Sequence, residues 1–158
     1  MAVAVLALLA PPLSPAAAEP RVAVFDFELD NTSPAPSTPE ELERTRRLGV
    51  QLREALGAPG RYEVVDIAPV RDRIARVKSI RSCNGCELDA ARHLGAELVA
   101  YGWVQKVSNL ILNINVVIED AETGRPLRAD SVDIRGNTDE SWQRGLRYLV
   151  NNRLFRTP

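Results

Sequence analysis

The sequence has few of the residues on which most catalytic sites depend. In 158 residues it contains one histidine, His93, two cysteines and only two lysines, Lys78 and Lys106, and aromatic residues make up 5%. Any Ser-His-Asp or Cys-His set would have to use that one histidine, for which we predict a surface or helix-capping position. The chain also lacks a G-x-G-x-x-G motif, a P-loop and an H-E-x-x-H motif.

The chain also lacks a large excess of either positive or negative charge. The chain has 20 basic and 21 acidic residues, and its net charge is −1. Nucleic-acid-binding domains usually carry a basic surplus, and single-strand binders add stacking aromatic residues, so both features argue against such a ligand. The 26% of charged and 45% of hydrophobic residues are typical of a globular domain.

Residues 1–18 contain no charged side chain and resemble an export signal. The short apolar segment Val3–Ala10 is followed by three prolines and by Ala16-Ala17-Ala18, which forms an A-x-A cleavage site. This segment is shorter than the roughly 20 residues of a membrane-spanning helix, and the basic start of a typical signal is missing. We predict cleavage after Ala18, a single domain over residues 19–158 and a periplasmic location.

Hydrophobic patterning predicts an α/β (α+β) fold in the order β-α-β-α-α-β-β-β-α. Strands are expected at Arg21–Leu29, Tyr62–Asp66, Glu97–Val107, Leu110–Asp120 and Leu127–Ile134. Helices are expected after Thr38, from Pro69, over Glu87–Leu94, and after Asn137 or Thr138. Two βα units followed by an antiparallel meander indicate one mixed sheet with helices packed on it.

Five passages are distinctive: RVAVFDFEL, GRYEVVD, SCNGCELDAARHLGAELV, WVQKVSNLILNINVV and VDIRGNTDESWQRGL. They resemble an uncharacterised family of small exported proteobacterial proteins, classified only as a domain of unknown function. The run Ala91–Val104 and the opening VAVFDF are also similar to the amino-terminal domain of TolB and to the curli secretion lipoprotein CsgG. The resemblance implies a small envelope domain and brings no catalytic residues. It also points to periplasmic quinoprotein alcohol-oxidation systems as a context.

Cys83 and Cys86 are the only cysteines and have the spacing C-x-x-C, with Asn84-Gly85 as a turn between them. In an oxidising compartment they are expected to form a structural disulfide. Haem attachment is excluded because Glu87, and not histidine, follows the second cysteine. A redox-active pair at a helix start and a metal site remain alternatives, although the chain offers few further ligands for zinc.

Acidic and polar residues cluster at the end of the first predicted strand. Asp26, Glu28 and Asp30 alternate there and are followed by Asn31 and Ser33. Carboxyl ends of strands in α/β sheets often face a ligand crevice, so these residues are a candidate loop for a cation or a basic peptide. The alternative is that Asp26 caps backbone amides and the others are solvated.

Two groups of residues are candidates for a recognition surface. Arg135, Asn137 and Asp139 lie beside Trp142 where the last strand gives way to the last helix, although this motif also suits an ordinary helix start. Trp103, Gln105, Asn113 and Asn115 would form an aromatic and amide face of the sheet. Such a face suits a protein partner if no helix covers it. The spacing of Trp142, Leu146 and Leu149 predicts that this tryptophan packs inward.

These features favour a non-enzymatic interaction, assembly or accessory module of the periplasm, with a protein partner and without a cofactor, a metal or nucleic acid. A thiol-disulfide redox protein using Cys83 and Cys86 is the second hypothesis. A small-ligand or metal-binding accessory protein using the loop from Asp26 to Ser33 is the third.

Overall fold

A computed structural model describes residues 18–156 of the chain. The strands are β1 (Arg21–Val24), β2 (Glu28–Asn31), β3 (Glu63–Val65), β4 (Leu98–Lys106), β5 (Ile111–Asp120) and β6 (Pro126–Arg135). The α-helices are α1 (Pro39–Leu56), α2 (Arg71–Ala75), α3 (Cys86–His93) and α4 (Asp139–Leu149). Short 3-10 turns lie at Ala68–Val70 and Ile80–Ser82, and a π-helical turn follows α4 at Val150–Leu154. The predicted export signal lies outside the described residues except for Ala18.

The strands form one mixed sheet in the order β3-β1-β4-β5-β6, with β2 paired to β4 beyond the end of β1. The pairs of β1 with β3 and β4, and of β2 with β4, are parallel. β4, β5 and β6 follow one another as an antiparallel meander. The predicted fold class is therefore confirmed, and the order of elements agrees apart from the division of the first strand.

That division comes from one extra residue opposite β4. Val24 pairs with Ala100 and Glu28 with Trp103, so four steps along the first strand match three along its partner. An extra residue of this kind reverses which side chains face which side of a sheet. Asp26 lies inside the irregularity and is exposed, whereas Glu28 and Asp30 follow it on the other face.

Helices cover the sheet unevenly on its two faces. On the first face, α1 packs through Leu48, Leu52 and Leu56, and α4 packs through Trp142, Leu146 and Leu149. On the second face, the chain from Ile67 to Ala96, including α3, covers β1, β3 and the first half of β4. The side chains of β5 and β6 on this second face are mostly half-buried or exposed.

Several helix ends follow from local sequence. Thr38 caps α1 by accepting a hydrogen bond from the Glu41 backbone N–H at 3.3 Å, and the Glu41 carboxylate accepts one from the Thr38 N–H at 2.9 Å. Gly95, at φ +67°, follows α3 and ends it, in agreement with the helix predicted over Glu87–Leu94. Among the helices of residues 18–156, none is long and apolar enough to cross a membrane.

Candidate functional site

The uncovered part of the second sheet face brings together polar side chains from four strands. We call this surface the open face. Its members are Glu28 and Asp30 on β2, Trp103 and Gln105 on β4, Asn113 and Asn115 on β5, and Ser131 and Asp133 on β6. All eight are half-buried or exposed, and they are neighbours through strand register. The sequence predicted the four central residues, whereas the two outer pairs come from strand order.

Arg81 holds the tryptophan of the open face in place. Its guanidinium carbon lies 4.7 Å from the centroid of the Trp103 ring, which is a cation–π contact. The same guanidinium donates to Glu28 Oε2 at 3.2 Å and to Asp30 Oδ2 at 3.4 Å. Glu28 also accepts hydrogen bonds from Ser79 Oγ at 2.8 Å and from the Ile80 N–H. The segment that precedes the disulfide is thus fastened to the edge of the open face.

Amides run across the middle of the open face and apolar side chains lie at one end. Asn115 Nδ2 donates to Asn113 Oδ1 at 2.6 Å, and Asn113 Nδ2 donates to Asp133 Oδ1 at 2.8 Å. Beyond them, the β4–β5 turn exposes 49% of Val107, 72% of Leu110 and 44% of Ile111. Arg135 pairs with Ile111 on the neighbouring strand and is exposed at the same end.

The sheet edge beside the open face is protected against pairing with another strand. β6 begins with Pro126, which has no N–H to donate. The Ser131 N–H is capped by Asp130 Oδ1 at 2.8 Å, and Asp130 in turn binds Arg153 at 2.9 Å. The Arg153 hydrogen bond and the Ser131 N–H lower the pKa of Asp130, so the cap is charged at neutral pH. The face is therefore a better docking surface than the edge.

The residues of the predicted ligand loop do not converge. Asp26 lies on the α1 side, where Arg53 Nη1 donates to it at 2.8 Å, while Arg81 binds Glu28 and Asp30 on the other face. Asn31 Oδ1 accepts from Ser33 Oγ at 2.7 Å and closes the following turn. The extra residue after β1 separates these carboxylates, which alternation had placed on one side.

The predicted recognition group of Arg135, Asn137 and Asp139 also divides. Arg135 belongs to the end of the open face, whereas Asn137 and Asp139 turn toward α1. Asp139 accepts from Arg44 Nε at 2.7 Å, and this hydrogen bond lowers the pKa of its carboxyl. Asn137 is half-buried, and its Oδ1 accepts from the Trp142 indole N–H at 3.0 Å. We therefore expect replacement of Asn137 to lower the stability of the fold.

Asn137 is part of a buried charge network that sequence reasoning missed. Lys106 Nζ donates to Glu41 Oε1 at 2.6 Å, with the two side chains 2% and 1% exposed, and Asn137 Nδ2 donates to the same oxygen. Burial raises the pKa of Glu41, but the hydrogen bonds from Lys106, Thr38 and Asn137 outweigh it and the net pKa is lowered. The sequence did hold a signal, because Lys106 shares strand parity with the buried Leu98, Ala100 and Val104.

Cys83 and Cys86 form a disulfide whose Cα atoms lie 5.5 Å apart. The bridge spans Asn84 at φ 59° and Gly85 at φ 92°, and Cys86 is the first residue of α3. Cys83 Sγ lies 3.0 Å from Glu87 Oε2, and both cysteines are half-buried. His93 ends α3 and is exposed. A bridged cysteine has no thiolate with which to bind a metal. Cys83, Cys86 and Glu87 therefore do not form a metal centre while the disulfide is intact.

We expect the double variant Cys83→Ser/Cys86→Ser to fold, with a loss of no more than about 2 kcal/mol in unfolding free energy. The bridge closes a loop of four residues, and short loops remove little entropy from the unfolded chain. Urea melts of the variant and of the wild-type protein, with and without a reducing agent, measure this. The reduced wild type should match the variant. Failure of the variant to fold would mean that the disulfide stabilises more of the structure than the turn between Cys83 and Cys86.

A cavity of about 230 Å³ lies between the carboxyl end of β1 and α2. Its walls are mainly apolar and include Phe25, Phe27, Ile67 and Ile74, with Arg71 and Lys78 also lining it. Asp26 and Glu28 also line the cavity, although their carboxylates are bound to Arg53 and Arg81 on opposite faces of the sheet.

The parallel start, the antiparallel meander and the helix pair on one face define a class of small mixed α/β domains with known structures. The C-terminal domain of LpoB from Salmonella enterica is similar with a TM-score of 0.55 and 14% identity, over 77% of this chain and 86% of that chain. Lipoprotein GNA1162 from Neisseria meningitidis is similar with a TM-score of 0.53 and 17% identity, over 75% of this chain and 82% of that one.

The sequence itself identifies the family. A family model with the description "Protein of unknown function (DUF2380)" matches residues 20–154, and the chain belongs to this family, DUF3280. No functionally curated protein matches the sequence significantly. The expected membership of a family of unknown function is confirmed. The expected likeness to TolB is weaker, since TolB from Acinetobacter baumannii aligns with 9% identity over 85% of this chain and 28% of that chain, and its TM-score of 0.42 is too low to support an argument.

Proposed function

We propose that the protein is an exported, non-enzymatic accessory module of the bacterial periplasm that docks a protein partner on the open face. The observation that carries this proposal is the composition of that face. It combines a tryptophan held by an arginine with amide groups and a rim of exposed Val107, Leu110 and Ile111. Tryptophan and arginine are enriched in the energetically dominant centres of protein interfaces, where lysine and glutamate are depleted.

The charges of the face indicate what kind of partner fits. Arg81 binds both Glu28 and Asp30 and offsets one of their two negative charges, while Asp133 accepts from the uncharged Asn113 amide and keeps its own charge. Nucleic acids and anionic lipid surfaces are bound through clusters of basic side chains, and the open face has none. A protein surface that offers apolar side chains between amide and hydroxyl groups matches it best.

Export and the periplasmic location rest on the signal-like residues 1–18 and on the disulfide. A bridge between the only two cysteines suits an oxidising compartment. GNA1162, whose fold is similar, is a lipoprotein, and this supports an envelope location for the family. In line with the family resemblance, periplasmic quinoprotein oxidation systems are the first place to look for the partner.

Site-specific photo-crosslinking in the native periplasm tests the proposal. A photoreactive residue at Gln105 should trap one partner protein, and the same residue at Glu54, exposed on the outer side of α1, should not trap it. Trp103→Ala should weaken binding of the purified partner about tenfold or more, as expected for a central aromatic contact. Trp103→Phe, which retains a ring under Arg81, should bind better than the alanine variant.

Support for the proposal requires that the partner is trapped from Gln105 and not from Glu54, so trapping of a protein is not sufficient by itself. Equal trapping from Gln105 and Glu54, or full affinity of a folded Trp103→Ala protein, would overturn docking on this face. Circular dichroism and a thermal melt of each variant exclude unfolding as the reason for lost binding. Leu110→Ser is a second variant for the binding measurement. Leu110 is 72% exposed, so its replacement should leave the unfolding free energy within about 0.5 kcal/mol of the wild-type value.

A further inference from the structure

The contacts of one sulfur atom give the disulfide a chemical property that a structural bridge does not need. Cys83 Sγ lies 3.0 Å from Glu87 Oε2 and 3.2 Å from the Ile80 carbonyl oxygen. In the bridged state this sulfur carries no hydrogen, so both distances are close sulfur–oxygen contacts. They place the Glu87 carboxyl where it can deliver a proton to Cys83 Sγ when the bridge opens.

The surroundings of Glu87 favour this protonated form. Burial raises the pKa of Glu87, and the nearby carboxylates Glu119 and Asp89 raise it further. The Tyr101 hydroxyl donates to Glu119 Oε1 at 2.9 Å, and Arg81 is bound to Glu28. Glu87 therefore retains a proton at a pH where an exposed glutamate has lost it.

The second sulfur differs in its setting. Cys86 is the first residue of α3, where the unpaired N–H groups of the helix stabilise a thiolate. Between the two cysteines, Asn84 holds a left-handed conformation at φ 59°, which is unusual for a residue other than glycine. Both cysteines are half-buried. The pair thus has one sulfur with a proton donor and one with a site for negative charge.

We propose that the module has a property beyond docking: the Cys83–Cys86 bridge is an exchangeable disulfide that oxidises a dithiol of another protein in one stoichiometric exchange, without catalytic turnover, and Glu87 is the proton donor to Cys83. A partner thiolate attacks Cys86 Sγ and forms a mixed disulfide, and the bond between Cys86 and Cys83 breaks. The Cys83 thiolate takes the proton of the Glu87 carboxyl. The second partner thiolate then attacks the partner's own sulfur, closes the partner disulfide and releases the Cys86 thiolate at the start of α3. Two electrons pass from the partner dithiol to the bridge, and Glu87 recovers its proton from solvent.

Reduced glutathione is a sufficient probe of this chemistry. We expect the rate of bridge opening, expressed per glutathione thiolate, to be about tenfold higher at pH 5 for the wild type than for Glu87→Gln. The difference should vanish toward pH 8, because the carboxyl loses its proton as the pH rises through its raised pKa. Glu54→Gln, which removes an exposed carboxylate of α1, should follow the wild type at every pH.

Single-cysteine variants test the different roles of the two sulfurs. Cys83→Ser leaves Cys86 beside the helix start, and its thiol should react with glutathione disulfide at a lower pH than the remaining thiol of Cys86→Ser. Equal profiles of the two variants would overturn the assigned roles. Equal rates for Glu87→Gln and the wild type across the pH range would remove Glu87 from the reaction. A bridge that stays closed at equilibrium in millimolar glutathione would make the disulfide purely structural and overturn the proposal as a whole.

Discussion

Replacement of Lys106 by methionine is expected to lower the unfolding free energy by about 3–5 kcal/mol at pH 7. The Lys106 ammonium and the Glu41 carboxylate are 2.6 Å apart, and both side chains are almost completely buried. The methionine fills a similar volume but leaves the carboxylate with only the hydrogen bonds of Thr38 and Asn137. An uncompensated charge in the protein interior is among the most costly single changes. Urea melts followed by circular dichroism measure the loss.

The loss should depend on pH in a direction that identifies its cause. In the wild type the pKa of Glu41 is lowered below its ordinary value of 4.5, so its contribution is complete above that pH and declines as the pH falls. Without Lys106, its lowering effect is lost while burial still raises the pKa, so we expect Glu41 to take up a proton at a higher pH than in the wild type. The variant is then relieved of its buried charge on acidification. The stability difference between the two proteins should therefore be largest at neutral pH and shrink toward pH 4.

The chain offers a matched control, because Lys78 is the only other lysine and is exposed. Lys78→Met should change stability by no more than about 0.5 kcal/mol. Addition of Glu41→Gln to Lys106→Met should restore part of the loss, since it removes the uncompensated charge. A cost of Lys106→Met that stays below 1 kcal/mol, or one that is independent of pH, would contradict the buried ion pair.

Local signals in the sequence were sufficient for most of the elements. The capping box of Thr38 and Glu41, the left-handed Gly95 and the alternation of β5 each depend on residues within a few positions of one another. Such local preferences do not depend on tertiary packing and are retained in the folded protein. The same holds for Trp142, because its spacing from Leu146 places both on one side of a helix.

The features that could not be predicted from the sequence depend on how distant segments of the chain align with one another. The extra residue between Val24 and Glu28 is visible only when the strand is aligned with β4, about 75 positions later. Alternation alone placed Asp26 beside Glu28, and the structure places them on opposite faces. The pairing of Lys106 with Glu41 likewise joins residues 65 positions apart.

The candidate site was predictable in composition but not in extent. Trp103, Gln105, Asn113 and Asn115 follow from the periodicity of two adjacent strands. Whether a helix covers them depends on how far the chain from Ile67 to Ala96 reaches across the sheet, and this is set by its packing on β1 and β3. Arg81 could not be assigned to this face from the sequence, because no local pattern connects it with Trp103.

The second large effect is expected at Trp142. Its side chain is 1% exposed and packs among the residues that join α4 to the sheet, and its indole N–H donates to Asn137. Trp142→Ala should lower the unfolding free energy by about 3–5 kcal/mol, because it empties a large site that the surroundings cannot fill. Trp142→Phe retains most of the volume and loses the hydrogen bond, so its cost should be nearer 1 kcal/mol. Chemical melts of both variants separate packing from hydrogen bonding.

Tyr148 serves as the matched control, since it is an aromatic residue of the same helix and is 49% exposed. Tyr148→Ala should cost less than about 1 kcal/mol. The inward orientation is also testable by fluorescence, because in Trp103→Phe the only remaining tryptophan is Trp142. Its emission should resist quenching by aqueous iodide, whereas the emission of Trp103 in Trp142→Phe should be quenched more readily. Ready quenching of Trp142, together with a small cost of Trp142→Ala, would place this tryptophan on the surface and assign it to recognition, because a side chain in contact with solvent leaves no cavity when it is removed.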